Sequence, residues 1–284
     1  MNSIHQENET ILARLSGYLC ADARAITPEA LAEMTALGLT EDEAYMHLLA
    51  AWLELPAPLW RRYLPRMLRR LDPADYQADP WLQAIRDAAG TEGSIALDED
   101  RYAPCELFVA DDFVTDQDGR VYPQLGWFRE EFRFPTLTER GRVWMTVTPN
   151  EVNTIRPCTQ AVHGKVLAYG LGLGYFAFHA LLNPHVVSVT VVERSAEVID
   201  LFRRCLLPRF PRQEALRIVQ ADAYDYAART APHEGYDCVF TDLWHDAGDG
   251  LPLYRRMKAL ETPGPRYFYW IEKTLRAYLP QARD

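Results

Sequence analysis

Hydrophobic and polar positions change rhythm along this chain, and each change marks a different kind of element. From about Glu9 to Arg86 the pattern is helical: Ala44, His47, Leu48, Ala51 and Trp52 fall at helical spacing, with Thr40 and Glu43 placed as a capping box ahead of them. Pro28 suits a first turn, while Pro56, Pro58, Asp72 and Pro73 separate one helix from the next. A linker with Gly90 and Gly93 follows. From Glu106 the period shortens toward two, so Leu107 to Val114, an Asp118–Gly119 turn, Val121 to Phe134 and Arg142 to Val147 read as hairpin strands. Thr148, Pro149, Asn150 and Glu151 then open a helix, with a capping hydroxyl, a proline in the first turn and an acid near the positive end of the dipole.

The third rhythm runs from Gly164 to Glu193. Val166 to Tyr169 is an apolar strand that reaches Gly170, Leu171, Gly172, Leu173 and Gly174; Tyr175 to Leu182 is helical; Ser188 to Val192 is a second strand that ends on Glu193. Parallel strands need a crossover of a dozen or more residues, so this order is a β-α-β unit. Glycine at the turn removes the Cβ that would hold a ligand off the backbone, and the next helix presents unpaired N–H groups there. A carboxylate closing the second strand accepts from both hydroxyls of a ribose and repels a 2′-phosphate. Two more strands follow, Leu216 to Gln220 before Ala221, Asp222 and Ala223, and Tyr236 to Thr241 before Asp242. Either aspartate also suits the plainer role of capping the next helix.

Dinucleotide spacing requires glycine or alanine at position 175, where Tyr175 stands; the pattern here is G-x-G-x-G through Gly170, Gly172 and Gly174. With that turn and the phrase YDCVFTDLW at 236–244, the stretch from Lys165 to Asp242 resembles class I S-adenosylmethionine-dependent methyltransferases and the related spermidine-synthase-like aminopropyltransferases. The resemblance implies S-adenosylmethionine as cofactor, held by Gly170, Gly172, Gly174, Tyr175, Glu193, Asp222, Ala223 and Asp242. It implies Asp222 against the adenine amino group and Asp242 facing the sulfonium end. Asp242 and His245 are the candidate catalytic residues, as bases for an acceptor that arrives protonated. Trp244, Trp127 and Tyr175 are candidates to wall the sulfonium by cation–π contact, with plain packing as the alternative. Trp144, Asn150 and Glu151 sit where such families close over the cofactor.

The chain departs from the family pattern after Asp242. Leu243, Trp244 and His245 replace the D-P-P-Y-like or D-S-S-D-P-like segments of other groups, and residues 249–261 and 267–279 read as helices. The expected fold is therefore α/β: a Rossmann-like, mostly parallel sheet cut short after four strands, preceded by β-hairpin strands and an N-terminal all-helical domain. The boundaries fall at 1–98 and 99–284. The expected function is transfer from S-adenosylmethionine to a small molecule, with methyl transfer leading. Aminopropyl transfer and non-catalytic binding of an adenosine cofactor or a partner stand as alternatives.

Composition narrows the partners. A net charge of −10 argues against a general nucleic-acid binder. The local stripe Arg61, Arg62, Arg66, Arg69 and Arg70 reads as a solvated or salt-bridged helix face, with an anionic-substrate or RNA contact as the alternative. The opening residues lack a long apolar core and the longest apolar stretch is broken by glycine, so a cytoplasmic protein without a membrane span is expected. A homodimer stays open. Five cysteines without a C-x-x-C pair indicate neither a disulfide framework nor a zinc site, and His245 with Asp246 does not make a metal site on its own.

Overall fold

The computed structural model describes residues 3–279. By packing, the chain forms two units, residues 1–75 with 101–133 and residues 76–100 with 134–284. These units cut across the stretches that periodicity separates at residue 98, because the hairpin strands share a core with the helices.

In the first unit, helices Ser3–Ala21, Pro28–Ala36, Glu41–Trp52 and Ala57–Met67 pack on a small sheet of Leu68–Arg70, Val121–Trp127 and Phe108–Thr115, with Val121–Trp127 in the middle. All seven residues of that central strand are buried. Trp127 stacks on Tyr45 with ring centroids 4.5 Å apart, and the Tyr45 hydroxyl donates to the Cys105 carbonyl. Trp127 is thus core packing, and a role in walling a ligand is withdrawn. The expected capping box of Thr40 and Glu43 is present. The arginine stripe is consumed locally: Arg62 pairs with Glu7, Arg66 with Asp116 and Arg70 with Glu41, while Arg61 lies over the Trp60 ring. The run expected as Val121 to Phe134 divides into Val121–Trp127 and Phe132–Glu139.

The second unit carries the Rossmann-like sheet. Its elements are α1 (Pro149–Ala161), β1 (Gly164–Tyr169), α2 (Tyr175–Leu182), β2 (Val186–Glu193), α3 (Ala196–Leu201), β3 (Leu216–Gln220), α4 (Ala223–Arg229), β4 (Cys238–Thr241), α5 (Ala247–Lys258), β5 (Arg266–Tyr269) and α6 (Glu272–Ala277). The strand order is β3-β2-β1-β4-β5 and every pair is parallel. Chain direction across the sheet reverses between β1 and β4, the place where open α/β sheets bind ligands. The fifth strand corrects the expectation of a sheet cut short after four. The expected helix over 267–279 begins instead with Arg266–Tyr269, which pairs with β4, and only Glu272–Ala277 is helical. A four-residue run of one arginine and three aromatics carries no periodicity that separates strand from helix, and a ready edge on β4 decides the outcome. Phe176 of α2 stacks on Phe240 of β4, centroids 4.0 Å apart, which seats the helix on the sheet.

A smaller sheet in order Gly90–Glu92, Ile95–Tyr102, Phe132–Glu139 and Arg142–Thr146 supplies the strand before α1. The division between the two units falls inside its two middle strands. Among the described residues no helix is long and apolar enough to cross a membrane.

Asp79 ties the segment before that sheet to α2. Its buried carboxylate accepts from the Tyr175 hydroxyl at 2.8 Å and the Trp81 N–H at 2.9 Å, and His179 Nε2 lies 3.0 Å away. Asp79→Ala would orphan all three partners, so it is expected to cost roughly 2–4 kcal/mol in urea unfolding. A loss within the scatter of surface substitutions would show that these bonds carry no stability.

Candidate functional site

The glycine turn is built by close approach. Gly170 has φ +95°, and a Cβ there would collide with the backbone carbonyl of Asp242. Gly172 has φ +47°, and its missing side chain makes room for the Met145 thioether. Gly174, at φ +77°, caps α2 and lies under Phe202 and Phe210. Two hydrogen bonds lock the strand ends together: the Asp242 N–H donates to the Tyr169 carbonyl, and the Gly170 N–H to the Val192 carbonyl, each at 3.0 Å.

Against this edge lies one cavity of about 550 Å³, a size suited to a nucleotide-like molecule. It is lined by Gly170, Leu171, Gly172, Glu193, Asp222, Ala223 and Tyr224 together with Asp242, Trp244, His245, Asp249, Leu253 and Trp270. Trp144, Met145 and Glu151 also border it. The structure therefore brings Gly170, Gly172, Glu193, Asp222, Ala223, Asp242 and His245 together. Gly174 and Tyr175 do not line the cavity. Gly174 is covered by phenylalanines, and the Tyr175 side chain is spent on Asp79 and the edge of Trp81, which removes it as a wall for a ligand. Asn150 sits in the first turn of α1 outside the cavity lining, while Glu151 lines it.

Glu193 and Asp222 are fixed and still have capacity. Glu193 is 7% exposed; one carboxylate oxygen accepts from Leu171 N–H at 3.2 Å and the other from Ser195 N–H at 2.8 Å. A carboxylate has about four acceptor positions, so roughly two are left. Asp222 caps α4 as its position allows, accepting from Tyr224 and Asp225 N–H through the same oxygen, Oδ1, which leaves Oδ2 for another donor. Capping and ligand binding are thus compatible in one side chain.

Around Asp242, at the end of β4, the carboxyls crowd. Glu151 completes a capping box with Thr148, and burial pushes its carboxyl above the ordinary range against the pull of that hydroxyl and N–H. Burial, with the nearby Glu151 charge adding to it, pushes Asp242 up to about 8. Asp242 is consequently a neutral acid at pH 7 when nothing positive is beside it. Tyr224 Oη and Trp244 Nε1 are buried without a hydrogen-bond partner among the described residues.

Three features of this end lay outside the sequence reading. Asp249 accepts from His245 Nδ1 at 2.9 Å and from the backbone N–H of His245 and Asp246. Although burial opposes its charge, these bonds hold its carboxyl below the usual range. The spacing Asp246-x-x-Asp249 ahead of a helix was the available signal. Trp270 follows β5, its indole N–H donating to Thr154 Oγ1 at 2.9 Å, and Ile271 behind it takes a left-handed φ of +46°. A β-branched residue adopts such a conformation only where the surroundings impose it. Met145 had no sequence signal, because its role depends on a contact with Gly172.

No family model matches the chain, and no curated protein matches it. Among solved structures it is similar to precorrin 8w decarboxylase from Methanobacterium thermoautotrophicum, at 17% identity and TM-score 0.32, over 43% of this chain and 63% of that one. It is also similar to the S-adenosylmethionine-dependent methyltransferase SibL in its apo form (24%, TM-score 0.30, 40% of this chain and 32% of that one). A third similar structure is the glycopeptide N-methyltransferase MtfA complexed with sinefungin (23%, TM-score 0.30, 40% and 47%). The chain spans less than two thirds of each of these proteins.

The glycines differ in what replaces them. Gly170→Ala meets a backbone carbonyl at a forbidden φ, whereas Gly172→Ala meets only the movable end of Met145 near the αL region. Denaturant unfolding is expected to show a loss of about 1 kcal/mol for Gly172→Ala and several times more for Gly170→Ala. Equal losses would contradict the packing described.

Proposed function

We propose that this chain is an S-adenosylmethionine-dependent transferase, a methyltransferase acting on a small molecule. The observation that carries the reading is the convergence of Gly170, Gly172, Glu193, Asp222 and Asp242 on one cavity at the carboxyl edge of a parallel sheet. The donor set fits the cofactor: the remaining acceptor positions of Glu193 suit a ribose diol, Oδ2 of Asp222 suits an adenine amino group, and Asp242 with Glu151 suits the positively charged end. When bound, S-adenosylmethionine supplies a methyl group on a sulfonium. The protein's own part is alignment of the reacting groups in a pocket screened from water. Asp242 and Glu151 orient the cationic end, and the strand before α1, through Trp144 and Met145, walls the pocket. Spermidine-synthase-like aminopropyl transfer is the second reading, favoured by the two carboxyls of Asp242 and Glu151 in one cavity.

A thermal-shift and calorimetry panel separates the two, since a ligand that binds only the folded state raises its melting temperature. S-adenosylmethionine and S-adenosylhomocysteine are expected to stabilise the protein more than 5′-methylthioadenosine; the reverse order supports aminopropyl transfer. No binding by any of them removes both readings. Glu193→Gln is expected to weaken S-adenosylhomocysteine binding by roughly 10- to 100-fold, through loss of about 1.5–3 kcal/mol of charged hydrogen bonding. Affinity for S-adenosylmethionine is also expected to rise with pH toward about 8. A cationic ligand prefers ionised Asp242, so binding below that pH must release its proton. Asp242→Asn should flatten the profile, and a flat profile in the unaltered protein would contradict this placement.

A further inference from the structure

A second, smaller cavity lies among β1, β4, β5, α4 and α5, and it shares no lining residue with the first. Its volume is about 20 Å³, and hydroxyls crowd its wall: Tyr169, Tyr236, Thr241, Thr262, Tyr267 and Tyr269. The remaining lining residues are apolar, and none is charged. Thr241 and Tyr169 are Cα partners at the ends of β4 and β1, directly before Asp242 and Gly170. Thr241 is 1% exposed, and its Oγ1 is buried without a hydrogen-bond partner among the described residues. Folded proteins match such a group with another protein group or with ordered water, because leaving it bare is costly. The hydroxyls around it have bonds to give. Those of Tyr226 and Tyr236 lie 2.9 Å apart, and that of Tyr267 lies 3.1 Å from Thr262 Oγ1. Two hydroxyls hold two protons and their mutual bond uses one, so each pair keeps one to donate. The Tyr269 hydroxyl donates to Glu261 at 3.0 Å, which leaves its oxygen as an acceptor. Burial, and then the neighbouring Tyr267, Tyr226 and Tyr236, push the Tyr169 phenol well above its ordinary range, so its hydroxyl belongs to the same neutral cluster.

We infer that this cavity is a binding site for one ordered water molecule, bonded to Thr241 Oγ1 and to the tyrosine hydroxyls around it. A space of roughly 10–15 Å³ or more is enough for one water, which typically makes about three hydrogen bonds when buried. Size excludes a larger guest. An ion would enter without an opposite charge on the wall, at a steep desolvation cost. A dry void needs an apolar lining, and hydroxyls supply half of this one. The water joins the side chains of Tyr169 and Thr241, and so pins the ends of β1 and β4 directly before the contact of Gly170 with Asp242.

High-resolution crystals of the full chain are expected to show a single spherical density peak within hydrogen-bond distance of Thr241 Oγ1 and of the tyrosine hydroxyls. Thr241→Ser, which keeps the hydroxyl, should keep the peak. Xenon pressurisation of the same crystals should leave the cavity free of xenon, which enters dry apolar voids. Urea unfolding of Thr241→Val then reads a sign, because valine keeps the shape and removes only the hydroxyl. With water on the hydroxyl, valine strands a bond of the buried water and the unfolding midpoint falls. With a bare hydroxyl, valine relieves a buried polar group and the midpoint rises. A fall is expected. No peak in the unaltered protein, xenon in the cavity, or a midpoint unchanged or raised in Thr241→Val would each overturn the inference. None of these measurements depends on what the first cavity binds, so their failure leaves the transferase reading where it stands.

Discussion

The approach of the Asp242 carbonyl to Gly170 is the contact on which the site depends. It brings the ends of β1 and β4 together where the sheet reverses direction, and the bond from Gly170 N–H to Val192 adds β2 to the same knot. Adjacent strands lie about 4.8 Å apart. Once three strand ends are tied at one level, the residues that follow them are delivered to one cavity without any long loop. Glu193 and Asp242 line the cavity because of where their strands stop.

Four acids of this cavity serve the backbone as well. Glu193 joins the glycine turn to the start of α3, Asp222 begins α4, Glu151 begins α1 and Asp249 begins α5. Each leaves acceptor capacity facing a shared space. Concentrated negative charge at low dielectric has a physical outcome: a carboxyl without a backbone or hydroxyl donor is the one that holds its proton, and here that is Asp242.

The strand, turn, helix and strand from Gly164 to Glu193 were legible from the chain alone, because periodicity, glycine placement and a strand-end acid are all local signals. So were the helix start at Thr148, though not its reciprocal box with Glu151, and the positions of Asp222 and Asp242. Tyr175 misled, because its spacing from the glycines says nothing of Asp79, nearly a hundred residues earlier, which claims its hydroxyl. β5 was hidden because an arginine and three aromatic residues become a strand only beside β4. Trp270 and Met145 were hidden for the same reason: their roles lie in contacts with Thr154 and Gly172 rather than in spacing along the sequence.

Asp249 has an evolutionary consequence. One carboxylate both starts a helix and steers an imidazole, so a change there moves fold stability and cavity chemistry at once. Selection acting on either trait is then constrained by the other, and the loop between Asp242 and α5 can diversify more freely in its apolar residues than in this acid.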